Sequence, residues 1–236
     1  MVERTNSVIK RILNVSNSVL LLTLLPAWAL ANEAKEPPHF VPASVNTAGD
    51  IPYPASSLDA GVVTLSVDLD KTGRVIAVTI LRDISTVSGP AAAAVRSWRY
   101  TPATRDGKPV ESTLTINIVY DPGFLGADNI PLPPPSQVQP ISTKEQAFYP
   151  PQLNAATFAP YPAKAKAQGA VVLNVTLDTN GNASQVATLR DVPPLTASAT
   201  GALKSWNFSA ATYEGNPIQS HMVVAFVFRS PSAALP

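Results

Sequence analysis

The strongest constraint on this chain is that much of it is written twice. The string AVRSWRYTPATRDGKPV, which starts at Ala94, returns as ALKSWNFSAATYEGNPI from Ala202. Trp98 falls on Trp206, Ala103 on Ala211, Gly107 on Gly215 and Pro109 on Pro217. One offset of about 108 positions holds without a gap from residue 52 to residue 120, and about 25 of those 69 aligned positions are identical. Two strands that merely share a pattern do not match at that level, so the chain carries a tandem duplication. Units of roughly 70 residues bury only about 60% of their unfolded surface, so each copy on its own has a thin core.

Within each copy the hydrophobic period changes in the same order. Val63, Leu65, Val67 and Leu69 alternate with polar residues, and Val171, Leu173, Val175 and Leu177 repeat the pattern. Period two with one polar face predicts a half-buried antiparallel strand. The strings DKTG and DTNG then place Asp and Gly for a tight turn into a second strand, through Leu81 and Leu189. Next, Ala91, Ala94, Val95 and Trp98, matched by Ala199, Ala202, Leu203 and Trp206, recur at helical spacing. A last strand alternates through Leu114, Ile116, Ile118 and Tyr120, and through Met222, Val224, Phe226 and Phe228. The predicted class is α+β: two tandem small domains, each a three-stranded antiparallel sheet packed with one main helix in the order β-β-α-β. A short helix in front is an option, from AKAKAQG before Gly169.

The 24 prolines, about twice an average share, lie mostly outside the alternating segments. They set the boundaries: a polar lead-in over 32–50, a first domain over 51–122, a proline-rich linker over 123–158, a second domain over 159–230 and a tail over 231–236. With a semi-rigid spacer between them, the copies are expected to fold separately. Residues 1–31 read as an export signal, with Arg4, Lys10 and Arg11 before an apolar stretch and Ala29-Leu30-Ala31 as the cleavage site. Removing them takes three positive charges and Glu3 from a net charge of +1, leaving −1. The expected location is the periplasm or the exterior. An uncleaved anchor in the inner membrane, facing the periplasm, is the alternative.

Near-neutral charge without a basic run excludes a nucleic-acid partner on electrostatic grounds. The absence of cysteine removes a disulfide framework, a zinc ribbon and a thiol nucleophile together. His39 and His221 are the only histidines, and no nucleophile elbow or phosphate loop is present. Asp178-x-Asn180-x-Asn182 has its glycine at the fourth position and a leucine at the twelfth, which suits a hairpin turn rather than a calcium loop. The reading is therefore no enzyme, no metal and no cofactor. The pairs Arg82-Asp83 and Arg190-Asp191 read as surface ion pairs or helix-start devices. What remains is the sheet itself. The last strands, STLTINIVY and SHMVVAFVF, contain neither charge nor proline, so their edges must pair with something or invite strand addition.

The run YPASSLDAGVVTLSVDLDKTGRVIAVTILRD followed by AAAAVRSWRYTPATRDGKPV resembles the C-terminal domain of TonB, the energy transducer of Gram-negative bacteria. The resemblance implies a small α+β domain that captures a peptide, such as the box of an outer-membrane TonB-dependent receptor, as an added strand. It maps the receiving edge onto 113–120 and 221–228, through Thr113, Thr115, Asn117 and Val119 and through His221, Val223, Ala225 and Val227. Beside it would lie the opening pairs Tyr53-Pro54 and Tyr161-Pro162. The alternatives are a homodimer or an envelope scaffold in which the sheet edges pair with themselves. The chain departs from the family's long spacer. About 19 residues separate the cleavage site from the first copy, a reach of roughly 65 Å.

Overall fold

The computed structural model describes residues 39–136 and 148–230. The first copy runs β1 (Phe40–Val41), β2 (Ser44–Thr47), β3 (Gly61–Leu69), β4 (Val75–Arg82), α1 (Ser88–Arg96), β5 (Arg99–Thr101), β6 (Ala103–Arg105), β7 (Lys108–Val110) and β8 (Ser112–Asp121). The second repeats it as β9 (Phe148–Tyr149), β10 (Gln152–Ala155), β11 (Gly169–Leu177), β12 (Ala183–Arg190), α2 (Leu195–Ala202) with a 3₁₀ turn over Leu203–Ser205, β13 (Asn207–Ser209), β14 (Ala211–Tyr213), β15 (Asn216–Ile218) and β16 (Ser220–Phe228). The export signal lies outside the described residues.

The alternating segments become the long strands as expected, and the Asp-x-x-Gly turns join them. Asp70 accepts the amides of Thr72 and Arg74 on Oδ1 at 2.7 and 2.9 Å, and Asp178 accepts those of Asn180 and Asn182 at 2.8 and 2.9 Å. Gly73 and Gly181 sit at φ +81° and +84°, where a Cβ would come within 2.4 Å of the Tyr100 carbonyl oxygen and 2.5 Å of that of Phe208. Both strain and clash oppose any side chain there. Gly73→Ala or Gly181→Ala is expected to lower stability by at least about 2 kcal/mol in urea denaturation, the left-handed backbone alone costing about 1–2.

In each copy three long strands pair antiparallel with the first long strand in the middle, β4-β3-β8 and β12-β11-β16. The copies are not two sheets, however. β8 and β16 pair in parallel, from Ile116 opposite Val223 to Asp121 opposite Phe228, giving one six-stranded sheet in the order β12-β11-β16-β8-β3-β4. Parallel neighbours related by a two-fold rotation share an axis along the strands, and that rotation turns the sheet over. The two helices therefore cover opposite faces. Val87, Ala91 and Val95 pack with Val63, Leu65, Ile116 and Ile118, and also with Val172, Val223 and Ala225 of the second copy. Leu195, Ala199 and Ala202 pack with Leu173, Val175, Met222 and Phe226, and with Val62 and Val119 of the first. Each core is built from both copies, and both copies lie within one compact unit.

Two expectations about the flanks are corrected. The lead-in and the end of the linker are not spacers but short strands of the fold. β1 pairs with β6 and β2 with β5, as β9 pairs with β14 and β10 with β13. Phe40, Ala43, Val45 and Ile51 are buried, as are Phe148 and Leu153. Phe40 stacks on Tyr213 at 4.6 Å between ring centroids and lies 4.9 Å from Phe148, so the lead-in of one copy packs on the other. The optional short helix does not form in either copy. Single turns, closed by Ser57 N to Pro54 O and Ala165 N to Pro162 O, take its place.

Candidate functional site

The edges expected to receive a partner face each other. β8 has β3 on one side and β16 on the other, and β16 has β11 and β8. Thr113, Thr115, Asn117 and Val119 are buried, as are Val223, Ala225 and Val227, and His221 is half-buried. The pairing between the two last strands takes in Asn117, Val119, Val223, Ala225 and Val227, while Thr113, Thr115 and His221 lie ahead of it at the starts of the strands. The physical reason is proximity: two uncharged, proline-free edges held in one chain meet at a high effective concentration. Several polar side chains of the last strands find partners inside the fold. The Thr64 hydroxyl donates to Asn117 Oδ1 at 2.8 Å, and Asn117 Nδ2 points at Met222 Sδ of the other copy at 3.1 Å. Thr113 donates to Asp68 at 2.9 Å, and His221 Nδ1 lies 3.3 Å from the Thr176 hydroxyl. Burial lowers the pKa of His221 and raises that of Asp68.

The Tyr-Pro openings act as clasps. Tyr53 donates to the Asp59 carbonyl and Tyr161 to the Ala167 carbonyl, both at 2.7 Å and six residues ahead. Their rings pack edge-on against Tyr120 and Phe228 at the ends of β8 and β16. Tyr53, Pro54, Tyr161 and Pro162 remain part-exposed, but they do not border an unpaired last strand.

The sheet's outer strands are β4 and β12. Near the end of β4 the Leu81 carbonyl accepts the Ser136 amide at 2.9 Å, so residues after the first copy cover part of that edge. β12 is different. Ala183 through Thr188 are all exposed, and among the described residues no strand pairs with its outer side. Its sequence, ASQVATLR, has no proline and no charge before Arg190. The weak alternation of this strand has its cause here: neither face needs a continuous apolar row.

A second feature lies on the β3–β8 face that the sequence reading assigned to solvent. A groove of about 410 Å³ has Thr64, Ser66, Thr113 and Thr115 as its floor and Pro135, Tyr149, Pro150, Pro151 and Leu153 as walls. Arg82 lines it and is 7% exposed, so it is not a surface ion pair. Its Nε donates to the Pro133 carbonyl at 2.8 Å, Nη1 to the Thr64 hydroxyl at 3.0 Å and Nη2 to the Leu153 carbonyl at 3.1 Å. Arg190 does meet a carboxylate, but in the other copy, at Asp50 and 3.2 Å. Among the described residues no group of His, Asp or Glu is gathered to hold a metal ion, and no helix is long and apolar enough to cross a membrane.

These observations define a duplicated α+β protein built around one strand-paired sheet. The family model for the Gram-negative bacterial TonB protein C-terminal domain matches residues 52–122 and again 157–230. The chain belongs to that family and carries two tandem copies of its domain. The family is non-enzymatic and periplasmic, and it works through protein–protein interaction. No curated protein and no solved structure matched the chain.

Proposed function

We propose that this protein is an exported, non-enzymatic binding module of the cell envelope that takes up an extended segment of a protein partner by strand addition on β12. The observation that carries the proposal is the exposure of Ala183 through Thr188 on β12, beside an outer row of main-chain groups that pairs with no strand among the described residues. Strand addition supplies affinity through exactly such rows, with side-chain pockets adding selectivity. The partner class follows from the family: a peptide segment of an envelope protein, an outer-membrane TonB-dependent receptor among them. In this reading the duplication converts the family's usual receiving strands into an internal joint and moves reception to the flank.

A second reading is an envelope scaffold whose edges are self-paired, and the β8–β16 pairing favours it. The two separate on one experiment. In an antiparallel edge strand, alternate residues direct their N–H outward, so of two neighbours one faces the partner and the other the ladder. Proline at Val186 and at Ala187, each in the mature protein, removes one N–H of each kind. One variant is expected to stay folded by circular dichroism and to lose at least about tenfold in recovery of an outer-membrane receptor from envelope extract. Alanine at Val186 should change little. A scaffold would retain its partners in every folded variant.

A further inference from the structure

The duplication supplies an internal control for Arg82. Its counterpart Arg190 is more exposed and is neutralised by Asp50, which reaches across from the first copy. The position equivalent to Asp50 in the second copy is 158, and it holds a phenylalanine that is buried in the core. Arg82 is therefore the better buried of the two, and the one for which the position equivalent to Asp50 carries an aromatic ring in place of a carboxylate. Among the described residues its partners are two carbonyls and a hydroxyl, all uncharged, and they engage three of its five N–H groups. A guanidinium does not lose its proton on burial, so its charge persists and needs a counter-charge.

The space beside Arg82 is suited to bring one. The groove is within the volume range of small-molecule sites. On its floor, the hydroxyls of Ser66 and Thr115 have no partner among the described residues, whereas those of Thr64 and Thr113 are committed to Asn117 and Asp68. Its walls are prolines, Leu153 and the half-exposed ring of Tyr149, which suit an apolar body. We infer that this groove is a binding site for a small organic carboxylate, held by its charged end on Arg82 and by its body between the hydroxyl floor and the Tyr149–proline wall. This site is separate from β12 and does not depend on partner capture there.

The test uses the full mature protein with butyrate as probe, against chloride and inorganic phosphate at equal ionic strength, read by calorimetry and by thermal shift. Butyrate is expected to bind saturably and raise the melting temperature. Arg82→Gln should weaken binding at least about tenfold, while Arg190→Gln should not. Because Arg82→Gln also removes bonds to the chain at 133 and 153, its fold is checked by circular dichroism. If it fails to fold, Thr115→Val, which keeps the arginine, and Tyr149→Ala, at an exposed wall, decide the matter by each weakening butyrate several-fold. Absence of saturable butyrate binding to the wild-type protein would overturn the inference. So would equal affinity for phosphate, which would show a site reading charge alone, or undiminished binding in the folded variants.

Discussion

Trp206→Ala is expected to unfold both copies in one transition, although the residue belongs to the second alone. Its side chain is 8% exposed, lies 5.3 Å from the Phe226 ring and 6.1 Å from that of Phe208, and donates from Nε1 to the Thr157 carbonyl at 3.1 Å. Losing a buried aromatic of this size costs about 3–5 kcal/mol. That is a large fraction of the roughly 5–15 kcal/mol that a domain has in hand. Phe226 sits on β16, whose release would bare β8, Val62 and Val119 of the first copy. In the mature variant Trp98 is the one tryptophan left if cleavage follows Ala31, so its fluorescence reports the first copy by itself. Fluorescence and far-ultraviolet circular dichroism should give coincident melting curves. A first copy that stayed folded while the second melted would restore the picture of independent domains drawn from the spacer.

The second large effect concerns Asp121, at the end of the β8–β16 seam. It is fully buried, its Oδ1 accepts the Gly123 amide at 2.8 Å, and its Oδ2 meets no hydrogen-bond donor among the described residues. Burial pushes its carboxyl up to about 6, against which the Gly123 amide pulls down. A carboxyl raised on folding holds its proton more tightly in the native state than in the unfolded one. Its contribution is therefore favourable to the fold at low pH and is lost as pH rises from about 4 through about 6. At about 1.4 kcal/mol per pKa unit, the ionised group costs on the order of 2–3 kcal/mol at neutral pH. Asp121→Asn should be more stable than wild type by about 2 kcal/mol at pH 7 and equal to it near pH 4. Urea denaturation across that range measures the difference. A constant difference at all pH values would remove the assignment to Asp121.

Those features which follow from local period were legible in the sequence. The alternation of β3 and β11, the Asp-x-x-Gly turns and the helical stripe ending near Trp98 and Trp206 each depend on a few consecutive residues. The short strands β1, β2, β9 and β10 were not read, because two to four residues between prolines show no period. The repeat itself still marked them: the same offset continues upstream through Phe40 and Phe148, Pro42 and Pro150, Asn46 and Asn154, and Ala48 and Ala156. The parallel seam left a different trace. SHMVVAFVF is apolar at successive positions, and an unbroken apolar run marks a strand buried on both faces. Its partner β8 hid the same fact, since Thr115 and Asn117 look like a solvent face and are in truth buried under the second copy and the chain that leads to it. That Arg82 meets no carboxylate among the described residues was unreadable, because its sister Arg190 stands in the same sequence context and differs only in what a distant position supplies.

The central claim is that the last strands of the two copies close on each other and leave β12 as the open edge. Native-state hydrogen exchange resolves this residue by residue. The amides of β8 and β16 should be among the slowest in the molecule, exchanging only through global unfolding, while the outward-facing alternate amides of β12 exchange fast. Rapid exchange along one side of β8 or β16, with β12 protected, would contradict the account and return the receiving edge to 113–120 and 221–228.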